Sequence, residues 1–320
     1  MHVDPALYRP EAVDETTRQA NAALEKMLAL SPAIDEQEPH VIRAARKSGD
    51  SMWGPIVHVA DAEMRSIPGP EGDIPLRIFR PDQDASGIYF HIHGGGWTLG
   101  SADMQDPMLD ALCKATRAVV VSVEYRLAPE HPYPAGPDDC EAAALWLLEV
   151  GTREFGSERL VIGGESAGAH LSAVTLLRLR DRHGATPFCG ANLVYGAYDL
   201  TLTPSVRNWG ERNLVLSTPI IEWFTQHFVP DPGLRGHSDV SPLFADLASL
   251  PAALFSVGTL DPLLDDSLFM AQRWEAAGNA ADLTVYPGGV HGFNLFPIPL
   301  AQRAARRCER FVADSLEGAS

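Results

Sequence analysis

Short apolar runs rich in β-branched residues alternate with longer stretches of helical periodicity from residue 88 onward, and this alternation constrains the fold more than any other feature of the chain. The runs occupy 88–93, 118–125, 159–164, 191–196, 252–258 and 282–288, and the helical stretches include 137–149, 167–182, 266–277 and 300–316. Strands this apolar need a layer on each face, and parallel neighbours need crossovers. The pattern therefore predicts an α/β fold with a mainly parallel sheet and right-handed connections. Upstream, HVADAEMRSI and IPLRIF flank the turn-forming GPEGD. They predict a hairpin that adds antiparallel strands at one edge, for about eight strands in all.

Two segments break the rhythm. Residues 11–48 place Ala12, Ala20, Ala23, Leu24, Met27 and Leu28 at helical spacing and read as an N-terminal helical arm. Between Tyr195 and Ala252 the chain is too long for a plain crossover and shows one modest helical stretch, at 218–228. An insertion over the carboxyl edge of a sheet is where a lid or cap belongs. The expected organisation is an arm at 1–50, a core at 51–198 and 241–320, and a cap insertion at 199–240.

Composition narrows the class of partner. With 45% hydrophobic and 21% charged residues the chain has the apolar material to cover both faces of a wide sheet. Its 42 acidic against 25 basic side chains give a formal charge of -17, which repels polyphosphates and anionic lipid headgroups. Neither nucleic acid nor stable membrane association is expected. The first residues contain no basic region leading into an apolar stretch, and the expectation is a chain without a secretory leader. Cys113, Cys140, Cys189 and Cys308 lie far apart, without C-x-x-C spacing, and read as reduced thiols in a cytoplasmic protein.

Chemistry concentrates in four blocks. Gly164-Glu165-Ser166-Ala167-Gly168 joins the apolar run RLVIG to the helical run AHLSAVTLLRLR. A nucleophile on such a strand-turn-helix elbow needs small neighbours, because backbones approach closely there, and the helix start directs its amides at developing negative charge. His93-Gly94-Gly95-Gly96-Trp97 follows an earlier strand, and consecutive glycines let peptide N–H groups face a cavity, as an oxyanion hole requires. A serine hydroxyl becomes nucleophilic when an imidazole accepts its proton, and a carboxylate must fix that imidazole's tautomer. The elbow thus demands an acid and then a histidine, each in a loop after a late strand. Asp261 in GTLDPLLDD and His291 in GGVHGF meet the demand.

Asp199, Asp265 and Asp266 compete for the acid's role. Asp261 is preferred as the first able to turn back toward the sheet edge, with Asp265 suited to a bond that holds the His291 loop. Of the other histidines, His131, His183, His227 and His237 read as solvated and His170 as packing. His91 and His93 form an H-x-H pair with no third ligand at metal spacing, so no metal and no organic cofactor are expected.

With these blocks in place, the sequence resembles the bacterial hormone-sensitive-lipase family of esterases over essentially its whole length. The resemblance rests on His93 to Trp97, on Tyr125-Arg126-Leu127-Ala128-Pro129-Glu130-His131-Pro132-Tyr133-Pro134-Ala135, on the elbow, on Asp261-Pro262-Leu263 with Asp265, and on His291-Gly292-Phe293. It implies the α/β-hydrolase fold, a helical cap built from the arm and the insertion, Ser166, Asp261 and His291 as the triad, and the amides of Gly95, Gly96 and Ala167 as oxyanion donors. Two positions depart from the family's pattern: Glu165, where Asp is commoner, and Ala169, where a further glycine is frequent.

The activity expected is hydrolysis of a small carboxylic ester, with lactone opening or deacetylation by the same machinery as the alternative. A ligand-binding receptor on this fold is the non-enzymatic one, disfavoured because His291 is present. A homodimer is left open. Trp97, Trp209, Phe224, Leu264 and Phe293 are candidates either to line the pocket or to pack around it. Bulky walls favour short to medium acyl groups, on the order of two to eight carbons, because added methylenes gain nothing once a pocket is full.

Overall fold

The computed structural model describes residues 3–51 and 53–318. The apolar runs become strands: β1 Glu63–Gly69, β2 Gly72–Phe79, β3 Gly87–Ile92, β4 Ala118–Val123, β5 Leu160–Glu165, β6 Phe188–Val194, β7 Ala252–Leu260 and β8 Ala281–Val290. They form one eight-stranded sheet in the order β1-β2-β4-β3-β5-β6-β7-β8, with β1 and β2 antiparallel and the rest parallel. Every residue of β3, β4 and β5 is buried, which is why these strands read as continuous apolar runs. Each fully buried Ile or Phe there, such as Phe90 or Ile92, contributes about 1.5–3 kcal/mol.

The helices are α1 Glu15–Leu28, α2 Pro39–Ser48, α3 Asp106–Thr116, α4 Ala135–Trp146, α5 Thr152–Phe155, α6 Ala167–His183, α7 Pro204–Trp209, α8 Thr218–Phe228, α9 Leu264–Ala276 and α10 Pro299–Glu317. The helical arm expected at 11–48 consists of two helices, α1 and α2. Ser31-Pro32 interrupts it, because a proline lacks an amide donor and pushes its predecessor out of helical geometry. The hairpin forms, but β1 starts at Glu63, and residues 58–62 are irregular. That segment is fixed sideways: the Val59 amide donates to buried Asp106, whose other oxygen accepts from Arg77 Nε at 2.9 Å.

The stretch after β6 holds two helices, α7 and α8, rather than one. Its far end is clamped to the core by Arg178 of α6, which is 2% exposed and pairs with Asp239, Asp138 and Glu141. Arg212 of the same stretch pairs with Glu25 of α1, and Asn21 of α1 donates to the Gly288 carbonyl at 2.8 Å. The chain leaves the carboxyl ends of β3, β5, β7 and β8 close together, which is where an open α/β sheet gathers its ligand-binding loops. Among the described residues no helix is long and apolar enough to cross a membrane.

Candidate active site

Ser166 stands between β5 and α6 with φ 58° and ψ -119°, a conformation L-residues rarely adopt. Packing holds it there. Its amide donates to the Val194 carbonyl at 2.9 Å, and a Cβ on Gly164 or Gly168 would sit 2.1 or 1.9 Å from the Ile92 carbonyl oxygen. The G-x-S-x-G spacing is therefore steric: β3 passes too close for a side chain at either glycine. The hydroxyl is turned outward, 2.9 Å from Nε2 of His291.

His291, at the end of β8, is 6% exposed, and its Nδ1 lies 2.9 Å from Asp261 Oδ2. Asp261, 1% exposed after β7, receives the Leu263 amide on its other oxygen at 2.9 Å. Both carboxylate oxygens are thus engaged, and Nδ1 is fixed as the protonated ring nitrogen with Nε2 left to accept. Tyr195, with φ 37°, lays its ring 4.7 Å from the imidazole and donates its hydroxyl to Asn294. Asp265 does not hold the His291 loop as expected. Its Oδ2 accepts the Ser205 amide at 2.8 Å, anchoring α7. Asp266, fully buried, accepts from the amides of Tyr198 and Asp199 and from Thr203 Oγ1, and burial pushes its carboxyl up to about 7.

The glycine block curls beside Ser166. Gly95 and Gly96 have φ of 115° and 60°; a Cβ on Gly95 would meet the Leu99 carbonyl at 1.9 Å, and one on Gly96 the Phe224 ring at 2.1 Å. Among the described residues the amides of Gly95, Gly96 and Ala167 donate to no protein acceptor. Below the loop, Tyr125 donates to the His93 carbonyl at 2.9 Å and stacks on the His93 ring at 4.2 Å. The His93 Nδ1 lies 2.8 Å from the Gly94 carbonyl, and burial pushes that ring down to about 4. The H-x-H pair does not converge: His91 bonds Ser122 and Glu165 instead. Glu165, the departure from the family's Asp, is thereby a buried partner of His91, 5% exposed.

A cavity of about 350 Å³ opens above Ser166 and His291. Phe224 lines it as expected. Trp97 also borders it, but its ring stacks on Phe228 at 4.7 Å and its Nε1 donates to His170. Three of the candidates take the packing alternative. Trp209 packs outside the cavity against the apolar cluster around Leu214, bonded to the Arg212 carbonyl; Phe293, 1% exposed, packs against Tyr286; and Leu264 faces that same cluster because the chain turns there into α9. Their neighbours Val215, Leu216, Leu263 and Leu295 line the cavity instead. Residues one place apart point to different sides of a turn, which loop sequence alone does not fix. Ser51, residues 53–57 and the side chains of Arg46 and Gln105 also line the cavity, and sequence reasoning does not find them because nothing local in the sequence ties them to Ser166.

His170 is more than packing. It accepts from Trp97 on Nδ1 at 3.0 Å and donates from Nε2 to the Val240 carbonyl at 2.8 Å. His131 and His237 are exposed, whereas His183 pairs with Glu141, and His227 packs on Trp223 and lies 2.8 Å from that residue's carbonyl. Among the described residues no cluster of three or more His, Cys, Asp or Glu converges as metal ligands would.

A family profile described as the alpha/beta hydrolase fold matches residues 89–295. The carboxylic ester hydrolase LipN of Mycobacterium tuberculosis is 38% identical over 78% of this chain and 68% of its own. The carboxylesterase NlhH of the same species is 37% identical over 73% and 76%. Among solved structures, the hyperthermophilic esterase of Pyrobaculum calidifontis is 28% identical, with a TM-score of 0.84 over 100% of this chain and 99% of that one.

Proposed function

We propose that this chain, which belongs to the α/β-hydrolase fold family, is a serine carboxylesterase. In this reading Ser166 is the nucleophile, His291 the general base and Asp261 the residue that orients it. The arm and the stretch 199–240 act as its cap. The observation that carries the reading is the unbroken chain of bonds from Asp261 through His291 to Ser166 Oγ, 2.9 Å at each step, ending at a cavity beside three amides that have no acceptor among the described residues.

The chemistry follows from that order. Ser166 Oγ attacks the ester carbonyl while His291 Nε2 takes its proton, and the carbonyl oxygen becomes an oxyanion facing the amides of Gly95, Gly96 and Ala167. His291 then gives the proton to the departing alkoxide, leaving an acyl-serine. Water, deprotonated by the same nitrogen, releases the acid and restores the serine. Asp261, which stays ionised, stabilises the imidazolium in both halves. Four free cysteines support a reducing compartment, the cytoplasm, for this enzyme.

A panel of chromogenic esters graded by acyl length, with lactones and acetylated sugars beside them, tests the reading. Hydrolysis of the esters and stoichiometric labelling of Ser166 by an organophosphate are expected. No turnover of any ester by folded protein would overturn it.

A further inference from the structure

The cavity above Ser166 is apolar over most of its wall, yet one of its residues is a cation. Arg46, in the last turn of α2, lines it together with Ser166 and His291. The chain has 42 acidic residues against 25 basic ones, so an arginine near the surface finds a carboxylate easily. Arg43, one turn earlier on the same helix, does so with Glu130 at 2.5 Å, and Arg178, Arg126 and Arg77 all bind carboxylates. Arg46 does not. Among the described residues its hydrogen-bond partner is the thioether of Met104 at 3.1 Å, a weak neutral acceptor.

Burial draws the Arg46 guanidinium below its ordinary value, with no carboxylate opposing the shift. An arginine stays charged at any working pH, so this is a half-buried positive charge without a counter-ion among the described residues. A second lining group also lacks a protein partner among the described residues, and its NH2 end is the one that could donate to a carboxylate. Gln105, 6% exposed, has a side-chain oxygen with no partner among the described residues. A carboxamide turns either end to a ligand, and this one has not been used by the protein. Among the described residues the only carboxylate in the cavity wall, Glu165, is already bonded to His91.

We propose that Arg46 is a specificity-determining residue that receives a carboxylate carried by the substrate. The preferred esters would then be half-esters of dicarboxylic acids or acylated hydroxy acids. This rests on the ester-hydrolase reading and deepens it. The guanidinium's planar fork matches a carboxylate bidentately, and the apolar wall strengthens the pairing by excluding water. A charge-assisted pair of this kind separates charged from neutral ligands by roughly ten- to a hundredfold.

The test uses ester pairs of similar shape that differ by the carboxylate: 4-nitrophenyl hydrogen adipate against 4-nitrophenyl hexanoate on the acyl side, and 4-acetoxybenzoate against 4-methylphenyl acetate on the alcohol side. For wild type and Arg46→Met, the ratio of kcat/KM for charged over neutral ester is measured, so that any general loss cancels. The ratio is expected to fall tenfold or more for at least one pair, chiefly through KM, and Arg46→Lys is expected to restore part of it. Unchanged ratios in both pairs would overturn the proposal. Calorimetric binding of monomethyl adipate and 4-acetoxybenzoate to Ser166→Ala protein, with and without Arg46→Met, keeps the two readings separate. Carboxylate binding that depends on Arg46 without turnover by wild type removes the esterase reading alone. Binding of both probes that is indifferent to Arg46 removes the anchor alone.

Discussion

The indole of Trp97 donates to Nδ1 of His170 at 3.0 Å, and the opposite nitrogen of that ring donates to the Val240 carbonyl. One buried, neutral imidazole thus ties the glycine loop beside Ser166 to α6 and to the end of the stretch that covers the cavity. Burial pushes this ring down to about 4. A folded value below the unfolded one, near 6.5, means that the contribution is complete above pH 6.5 and is lost as pH falls toward 4. The stability gap between wild type and His170→Asn should therefore narrow by about 2 kcal/mol between pH 7.5 and 5. Urea denaturation at both values measures it. A gap that widens toward acid would show that the folded protein favours the protonated ring and would contradict a neutral, buried imidazole.

Ser166→Ala should abolish ester hydrolysis, with kcat lower by several orders of magnitude. The melting temperature should stay within a few degrees, since the hydroxyl contributes one bond at the cavity surface. Persistent organophosphate labelling of the variant, with more than a tenth of the activity, would remove Ser166 from its role.

Asp261→Asn and Asp265→Asn should separate cleanly. The first disturbs the bond that orients His291 and should lower kcat by about 10³-fold or more. The second loosens the attachment of α7 through Ser205 and should act mainly on stability. Steady-state kinetics beside thermal melts compares them; greater loss of kcat in Asp265→Asn would reverse the assignment.

The cavity of about 350 Å³ limits acyl length. Among nitrophenyl esters from acetate to palmitate, kcat/KM should peak within two to eight carbons, because each buried methylene gains about 0.8 kcal/mol until space ends. Phe224→Ala opens the wall at Gly96 and should move the peak toward longer chains. A wild-type maximum at palmitate, with a jump above substrate solubility, would instead indicate an interfacial lid.

Gly96→Ala places a methyl group in the Phe224 ring on a residue with φ 60°. It should lower kcat/KM on every ester, with the loss in kcat if the Gly96 amide faces the oxyanion. Phe224→Ala in the same chain should relieve the steric part and leave the loss due to the loop's altered backbone. Full activity in the single variant would exclude a close-fitting loop.

The sequence by itself determined the strand-helix alternation, the elbow and the order of Ser166, Asp261 and His291, because each of these is local. Strand burial writes itself as continuous apolar runs, and close backbone approach writes itself as Gly164, Gly168, Gly95 and Gly96. The hairpin and the presence of an insertion were legible for the same reason. Tertiary structure decided what depends on the direction of a side chain in an irregular segment: that Leu263 rather than Leu264 faces the cavity, that Phe293 and Trp209 pack elsewhere, and that Asp265 serves α7. Arg46 and Gln105 stand on a helix and a loop distant in sequence from Ser166, and no periodicity connects them to it. The folded chain brings them to one wall because α2 and the residues following the glycine loop meet above the carboxyl edge of the sheet.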